Sequence, residues 1–252
     1  MTFNIKAYPQ WKKHFALPKL IPIPRPSLCR VCDRWCHHIV CQNCLQLHQT
    51  FTRRCRLCAL PCAMEMCLSC LNQPPDWQAC ASAVTYADPW RSLIIDFKFH
   101  ENPGLAKFLS AVILDNPFAR ELVHAADVLV PVPAATQRLR ERGFNPALCL
   151  AHALAKDRCL DDALVKWRQT PSQSGLDRAR RLSNLKHSIT AHPLMTRQLK
   201  SRHVVLVDDV MTTGSTLQIC TQALYAAEVK RVSCVVLARA EPGSQAQFGS
   251  ID

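Results

Sequence analysis

The sequence predicts an α/β protein whose body is a parallel, doubly wound sheet, preceded by an N-terminal cysteine-rich region built to bind metal. Two observations carry this. From about residue 80 onward, short Val/Leu/Ile-rich runs alternate with stretches of helical apolar spacing, the pattern of βαβ units. Before that point, eleven of the fifteen cysteines crowd between Cys29 and Cys80, mostly as C-x2-C pairs. A third observation places a ligand. Val204, Val205, Leu206 and Val207 form an apolar run that ends on Asp208 and Asp209 and continues through Val210 and Met211 into Thr212, Thr213, Gly214, Ser215 and Thr216.

That last segment is the most informative in the chain. The apolar run reads as a strand buried on both faces. The hydroxyls and Gly214 open a helical run, 216–227, with apolar positions at Leu217, Cys220 and Leu224. Backbone N–H groups at such a helix start hold an anion, and a glycine lets the backbone approach it. Capping explains one hydroxyl. It leaves unexplained two consecutive acids at the carboxyl end of a buried strand, where open α/β sheets bind ligands. The acids are placed to accept hydrogen bonds from hydroxyls, so the implied ligand is a sugar phosphate held at both its phosphate and its diol.

The remaining elements follow in order. Asn72-Gln-Pro-Pro-Asp76 breaks the chain, and 81–87 reads as the first strand of the body. Trp90, Leu93, Ile94 and Phe97 fall at helical spacing, with Lys98 at the end of that apolar stretch, and a second helical run covers 105–114. A strand over 127–133 ends in Val-Pro-Val-Pro, and the loop after Pro133 brings Arg138 and Arg142 to its end, where the same anion needs cations. Gly143-Phe144-Asn145 precedes a helix at 147–155 and a strand at 163–167. Gln173, Arg181 and Asn184 lie in a polar stretch long enough to serve as a mobile lid. One more buried strand, 232–238, precedes a polar tail. The expected division is a basic, Pro-rich lead-in at 1–27, the cysteine region at 28–80, the body at 81–240 and the tail at 241–252.

The cysteine region is a duplication. Cys29 to Cys44 aligns without a gap on Cys55 to Cys70 at a period of 26 residues, each unit reading C-x2-C-x3-C-x4-C-x2-C. Two C-x2-C turns complete a tetrahedral Zn–S4 site, and four thiolates close the coordination sphere, so such sites are structural. Sequential pairing assigns Cys29, Cys32, Cys41 and Cys44 to one zinc and Cys55, Cys58, Cys67 and Cys70 to another. An interleaved pairing of the first turn with the third satisfies two metals equally. Cys36 and Cys62 are then spare thiols that pack.

The net charge is +12, unevenly spread: residues 1–84 carry ten Lys/Arg against three acids, and 166–202 carry nine against one. This concentration predicts a polyanionic partner. Arg53, Arg54 and Arg56 are the candidate phosphate contacts, with Trp11, Trp35 and Trp77 as candidates for base stacking. No base-reading motif is visible. The apolar runs are far short of a membrane span, and the first 28 residues lack the apolar core of a signal peptide. Clustered C-x2-C pairs fit metal binding in a reducing compartment, so the expectation is cytoplasmic.

The strand-acid-loop segment resembles the phosphoribosyl pyrophosphate (PRPP) signature of type I phosphoribosyltransferases. The order of the double zinc ribbon, Val130-Pro-Val-Pro, Arg138-x3-Arg142-Gly-Phe-Asn145, Gln173-x7-Arg181-x2-Asn184 and the Asp208-Asp209 signature resembles the ComF family of competence proteins over residues 28 to 240. The resemblance implies a type I phosphoribosyltransferase fold joined to a double zinc ribbon. It implies a role in natural transformation, handling imported single-stranded DNA in the cytoplasm with a helicase-like ATPase as partner. It further implies that PRPP with Mg²⁺ is the ligand, held by Asp208, Asp209, the 212–216 loop, Arg138 and Arg142. Pro146 departs from the family pattern, which has Gln there. If transfer occurs, Asp208 and Asp209 are the catalytic pair, orienting the ribose while Mg²⁺ and the two arginines stabilise departing pyrophosphate. Three functions remain open at this point: DNA handling with a retained PRPP pocket, active phosphoribosyl transfer, and PRPP sensing without turnover.

Overall fold

The main sheet has four parallel strands in the order β3 (Ala79–Thr85), β8 (Arg231–Arg239), β7 (His203–Met211), β4 (Val128–Pro131). The computed structural model describes residues 26–49, 52–99, 104–166 and 189–241. Register in the middle of the sheet pairs Leu206 with Cys234 on one side and with Val130 on the other. The continuous apolar runs are explained by burial on both faces. Val205 and Val207 of β7, with Val235 and Leu237 of β8, enter one core, while Val204, Leu206, Cys234 and Val236 enter the other.

Three helices join β3 to β4: α3 (Trp90–Phe99), α4 (Leu105–Asp115) and α5 (Pro117–Ala125). They fill the first core with Ile94, Phe97, Leu109, Val112 and Leu122, together with Leu150 of α7 (Pro146–Ala155). On the opposite face α9 (Ser215–Ala226) contributes Leu217, Cys220 and Leu224. Helices on both faces of a parallel sheet are the doubly wound arrangement expected.

Several elements differ from the sequence reading. The first strand of the body starts at Ala79, two residues earlier than expected. Helix α5 was not anticipated, although Asn116 caps it through Phe118 and Ala119 N–H groups and Pro117 occupies its first turn, a usual start signal. The expected loop carrying Arg138 and Arg142 is a helix, α6 (Thr136–Arg142), closed by Gly143 at φ 74°. The strand expected at 163–167 does not join the main sheet. It is β5 (Leu164–Lys166), paired antiparallel with β6 (Ile189–Ala191), and its Leu164 and Ile189 pack in the core beneath α9. A short helix, α8 (Thr196–Leu199), leads into β7.

The duplication is visible in the backbone. In one unit the Cys29 N–H donates to Arg34 O and the Asp33 N–H to Cys29 O; in the other the Cys55 N–H donates to Leu60 O and the Ala59 N–H to Cys55 O. Asp33 and Ala59 both lie in the left-handed region, at φ 56° and 57°. Helices α1 (Gln42–His48) and α2 (Leu68–Asn72) begin at equivalent positions. The first unit adds a small hairpin of β1 (Ser27–Leu28) and β2 (Trp35–Cys36). Neither unit is isolated from the body. Cys29, Val40, Cys44 and Leu45 share the first core with α3 and α4, and Ala59 shares the second.

Leu206 is fully buried in the central strand. Leu206→Ala is expected to lower the stability of the body by about 2–5 kcal/mol, read as a shifted urea midpoint with unchanged slope.

Candidate functional site

A cavity of about 350 Å³ opens at the carboxyl ends of β4 and β7. Asp208 and Asp209 form part of its floor, and Arg138, Arg142, Lys98 and Lys166 line it. The structure thus brings together the acid pair, the two arginines and the lysine that the sequence singled out. It adds Lys166, which the sequence reading missed because β5 gave no sign of folding back over the pocket. Tyr86, just past the end of β3, is a second lining residue not anticipated.

Adjacent acids in one sheet end repel each other, and the geometry answers this from α3. Lys98 Nζ lies 2.8 Å from Asp209 Oδ1, with both side chains largely buried. Asp208 Oδ1 accepts the Asp209 backbone N–H at 2.8 Å. Burial and the neighbouring Asp209 carboxylate raise Asp208 to about 7, partly opposed by Lys98. Arg142 is held below its ordinary value by burial, with Asp209 pulling the other way. Its guanidinium stacks 4.3 Å over the Phe99 ring.

Each residue of Arg142-Gly-Phe-Asn145 has a separate task. Gly143 supplies the left-handed turn, and Phe144 anchors that turn on Phe97 of α3, ring centroids 5.8 Å apart. Asn145 donates through Nδ2 to Val132 O at the end of β4 and accepts the Ala147 N–H to cap α7. Pro146 then takes the first helical position, where a proline costs no hydrogen bond.

The 212–216 loop turns β7 into α9. Gly214 sits at φ 83° as the N-cap and provides no side-chain cap; the Ser215 N–H donates to Thr213 Oγ1 at 3.3 Å, and the next first-turn N–H groups are those an anion would meet. The φ of 83° requires glycine, and a Cβ there would also press on Met211 Cε at 2.7 Å and on Trp77 Cη2 at 3.2 Å. Thr213 Oγ1 and Ser215 Oγ are hydrogen-bonded at 2.8 Å, and Thr212 and Thr216 line the cavity.

The cysteines group sequentially: Cys29, Cys32, Cys41 and Cys44 form one set and Cys55, Cys58, Cys67 and Cys70 the other, with ligand atoms in each within 4.8 Å of one another. The interleaved pairing is thereby removed. Zn–S bonds of about 2.3 Å put tetrahedral sulfurs about 3.8 Å apart; Cys32 and Cys41 Sγ lie 3.8 Å apart and Cys58 and Cys67 Sγ 3.6 Å. The Cys41 N–H donates to Cys29 Sγ and the Cys67 N–H to Cys55 Sγ, each at 3.3 Å. Burial raises the Cys29 thiol, yet N–H groups of Cys41, Val31 and Cys32 outweigh it and bring it to about 6, and Cys55 is brought to about 7 in the same way. Both donor sets fit a structural Zn²⁺. Cys36 packs partly against the first core and donates to His38 O, and Cys62 is half-buried.

The three arginines of the basic stretch separate. Arg54 is largely buried, donating to Ala59 O and Thr85 Oγ1 beside Glu241, so it ties the second unit to the body instead of facing a partner. Arg56 is exposed, 4.0 Å from Glu65 and stacked 4.5 Å over Phe118. Arg53 is exposed. Trp35 is 73% exposed, whereas Trp77 is buried and donates to Leu57 O, which removes it as a stacking platform. Trp11, Gln173, Arg181 and Asn184 lie outside the described residues. No helix among the described residues is long and apolar enough to cross a membrane.

The phosphoribosyl transferase domain family matches residues 140–247. The DNA utilization protein YhgH of Escherichia coli K12 is 32% identical over 215 residues, covering 79% of this chain and 91% of the relative. Competence protein F of Haemophilus influenzae is 31% identical over 183 residues, covering 70% and 79%. The chain belongs to the ComF family. A solved structure described as the allosteric regulatory enzyme of purine biosynthesis is 18% identical and covers 57% of this chain and 30% of its own, with a TM-score of 0.37. The Val-Pro-Val-Pro strand, the Arg-Gly-Phe-Asn turn and the acid-bearing strand, in that chain order, each line the pocket.

Elemental analysis of protein purified without added metal is expected to give two zinc ions per chain, falling to one in Cys41→Ser and in Cys67→Ser alike. A pH effect follows from Asp208. The folded protein keeps that proton up to about pH 7, while the unfolded chain releases it near 3.8, so folding loses stability as pH rises through that window. Asp208→Asn is expected to be more stable than wild type at pH 8, with the difference vanishing by pH 4 in paired denaturant titrations.

Proposed function

We propose that this ComF protein serves natural transformation in the cytoplasm, handling imported single-stranded DNA while binding PRPP–Mg²⁺ in the cavity at the ends of β4 and β7. The observation that carries the reading is one pocket holding an acid pair and four cations, with Thr212 and Thr216 of the turn into α9 on its wall. A 5-phosphate suits the N–H groups at the 212–216 loop, a ribose diol suits Asp208 and Asp209, and a pyrophosphate suits Arg138, Arg142 and Lys98. Mg²⁺ arriving with the pyrophosphate would neutralise part of its charge. The names of the relatives, one a competence protein and one a DNA utilization protein, support the DNA role. Arg53 and Arg56, with the exposed Trp35 ring, suit a phosphate backbone and its bases, and a helicase-like ATPase of the uptake machinery is the proposed partner.

Phosphoribosyl transfer is the second reading, favoured by the cations that surround the place where pyrophosphate would leave. Asp208 and Asp209 would then orient the ribose as positive charge develops at C1.

PRPP–Mg²⁺ at about 100 times its Kd is expected to raise the melting temperature by roughly 5 °C or more, and Asp208→Ala with Asp209→Ala to abolish that rise in a folded protein. No shift at millimolar PRPP contradicts the pocket assignment. Fluorescence anisotropy with a labelled oligonucleotide is expected to show log affinity falling linearly with log salt, by about 0.7 per phosphate contacted. Charge reversal at Arg53 and Arg56 should flatten that slope and leave PRPP binding unchanged. Binding that stays undetectable at low salt contradicts direct DNA handling.

A further inference from the structure

The second cysteine unit and the 212–216 loop are far apart in sequence and share a set of buried contacts. Three successive carbonyls of the Cys55–Cys58 turn accept hydrogen bonds from the body. Arg56 O takes the Cys80 N–H at 2.7 Å, Leu57 O takes Trp77 Nε1 at 2.6 Å, and Cys58 O takes Arg239 Nε at 2.8 Å. The same two side chains then reach the loop. Trp77 Cη2 would lie 3.2 Å from a Cβ at Gly214, so its ring edge packs against the loop backbone. Arg239 Nη1 donates to Met211 O at 3.0 Å, to Thr212 O and to Ala240 O. Arg239 and Trp77 are 6% and 5% exposed, so the donors of these bonds are buried. Asp76, beside Trp77, is tied to α9 as well, its backbone N–H donating to Gln218 Oε1 and its Oδ2 accepting from Gln222 Nε2.

The first unit braces a different element. Its His48 O accepts Trp90 Nε1, Arg30 pairs with Asp96 at 2.9 Å, and Gln49 donates to Asp115, all on α3 and α4. Among the described residues, no hydrogen bond joins it to the 212–216 loop.

We propose that the Cys55–Cys58–Cys67–Cys70 site is the anchor of the phosphate-binding loop, with Trp77 and Arg239 as positioning residues that carry its geometry to Gly214 and Thr212. The carbonyls of the Cys55–Cys58 turn point at Trp77 and Arg239 because the thiolates of the same turn point at one cation. Loss of that cation frees the turn, removes the acceptors of two buried donors and loosens the loop. Ligand binding by this protein is therefore conditional on metal in the second site, and the first site does not set the loop's geometry. The ligand arm of this inference rests on the PRPP reading; the loop arm does not.

Hydrogen exchange by mass spectrometry on the full zinc-loaded chain separates the two. In Cys67→Ser, and in Trp77→Phe, which keeps an aromatic side chain but removes both the indole N–H on Leu57 O and the Cη2 edge beside Gly214, amides of 212–216 are expected to exchange about tenfold faster, against no change in Cys41→Ser. PRPP–Mg²⁺ titrated calorimetrically into the same proteins should bind about tenfold more weakly to Trp77→Phe, with zinc content still two per chain. Trp77→Phe retains its metal, so it reads the relay even where Cys67→Ser fails to fold. Unchanged loop exchange in Trp77→Phe, or equal acceleration in Cys41→Ser, overturns the proposal. Wild-type protein that ignores PRPP but shows the predicted loop exchange refutes the PRPP reading and leaves the anchor standing.

Discussion

Asp208 and Asp209 sit side by side at the carboxyl end of β7, where the two cores on either face of the sheet exclude most solvent, and their repulsion has to be met by charge from elsewhere in the chain. Lys98 meets it from α3, and the arginines of α6 and Lys166 of β5 surround the same cavity. A site with more cation than anion in its resting form is suited to a ligand more highly charged than itself. Burial and the Asp209 carboxylate raise Asp208 to about 7, with Lys98 opposing them.

The elements around the pocket are placed by ordinary packing. Phe144 seats on Phe97, Arg142 stacks on Phe99, and α3 therefore positions the Arg-Gly-Phe-Asn turn as well as Lys98. The two cysteine units extend the same logic outward, one bracing α3 and α4, the other the loop. Both share core residues with the body.

The sequence was most legible where chemistry is local. A buried strand, two acids, a glycine at a helix start and cysteines at fixed spacing each carry their meaning within a few residues, and the duplication at a period of 26 reappears in backbone bonds and in paired left-handed residues. What escaped it depends on contacts between distant segments. Nothing near Lys98 announces Asp209, nothing near Arg239 announces Cys58, and the antiparallel pairing of β5 with β6 depends on a fold-back that hydrophobic runs do not encode. Arg54 was mistaken for a surface cation for the same reason: a basic stretch does not reveal which of its members meets Thr85 and Glu241. Helix α5 is a different kind of miss, since Asn116 and Pro117 were a readable start signal.

A crystal structure of the zinc-loaded full chain grown with PRPP and Mg²⁺ tests the central claim most directly. The account predicts a phosphate against the backbone of the 212–216 loop, the ribose diol on Asp208 and Asp209, and Lys98 Nζ turned from Asp209 toward the pyrophosphate. Ligand bound elsewhere, or a cavity left empty at millimolar PRPP with the 2.8 Å Lys98–Asp209 pair intact, would contradict it.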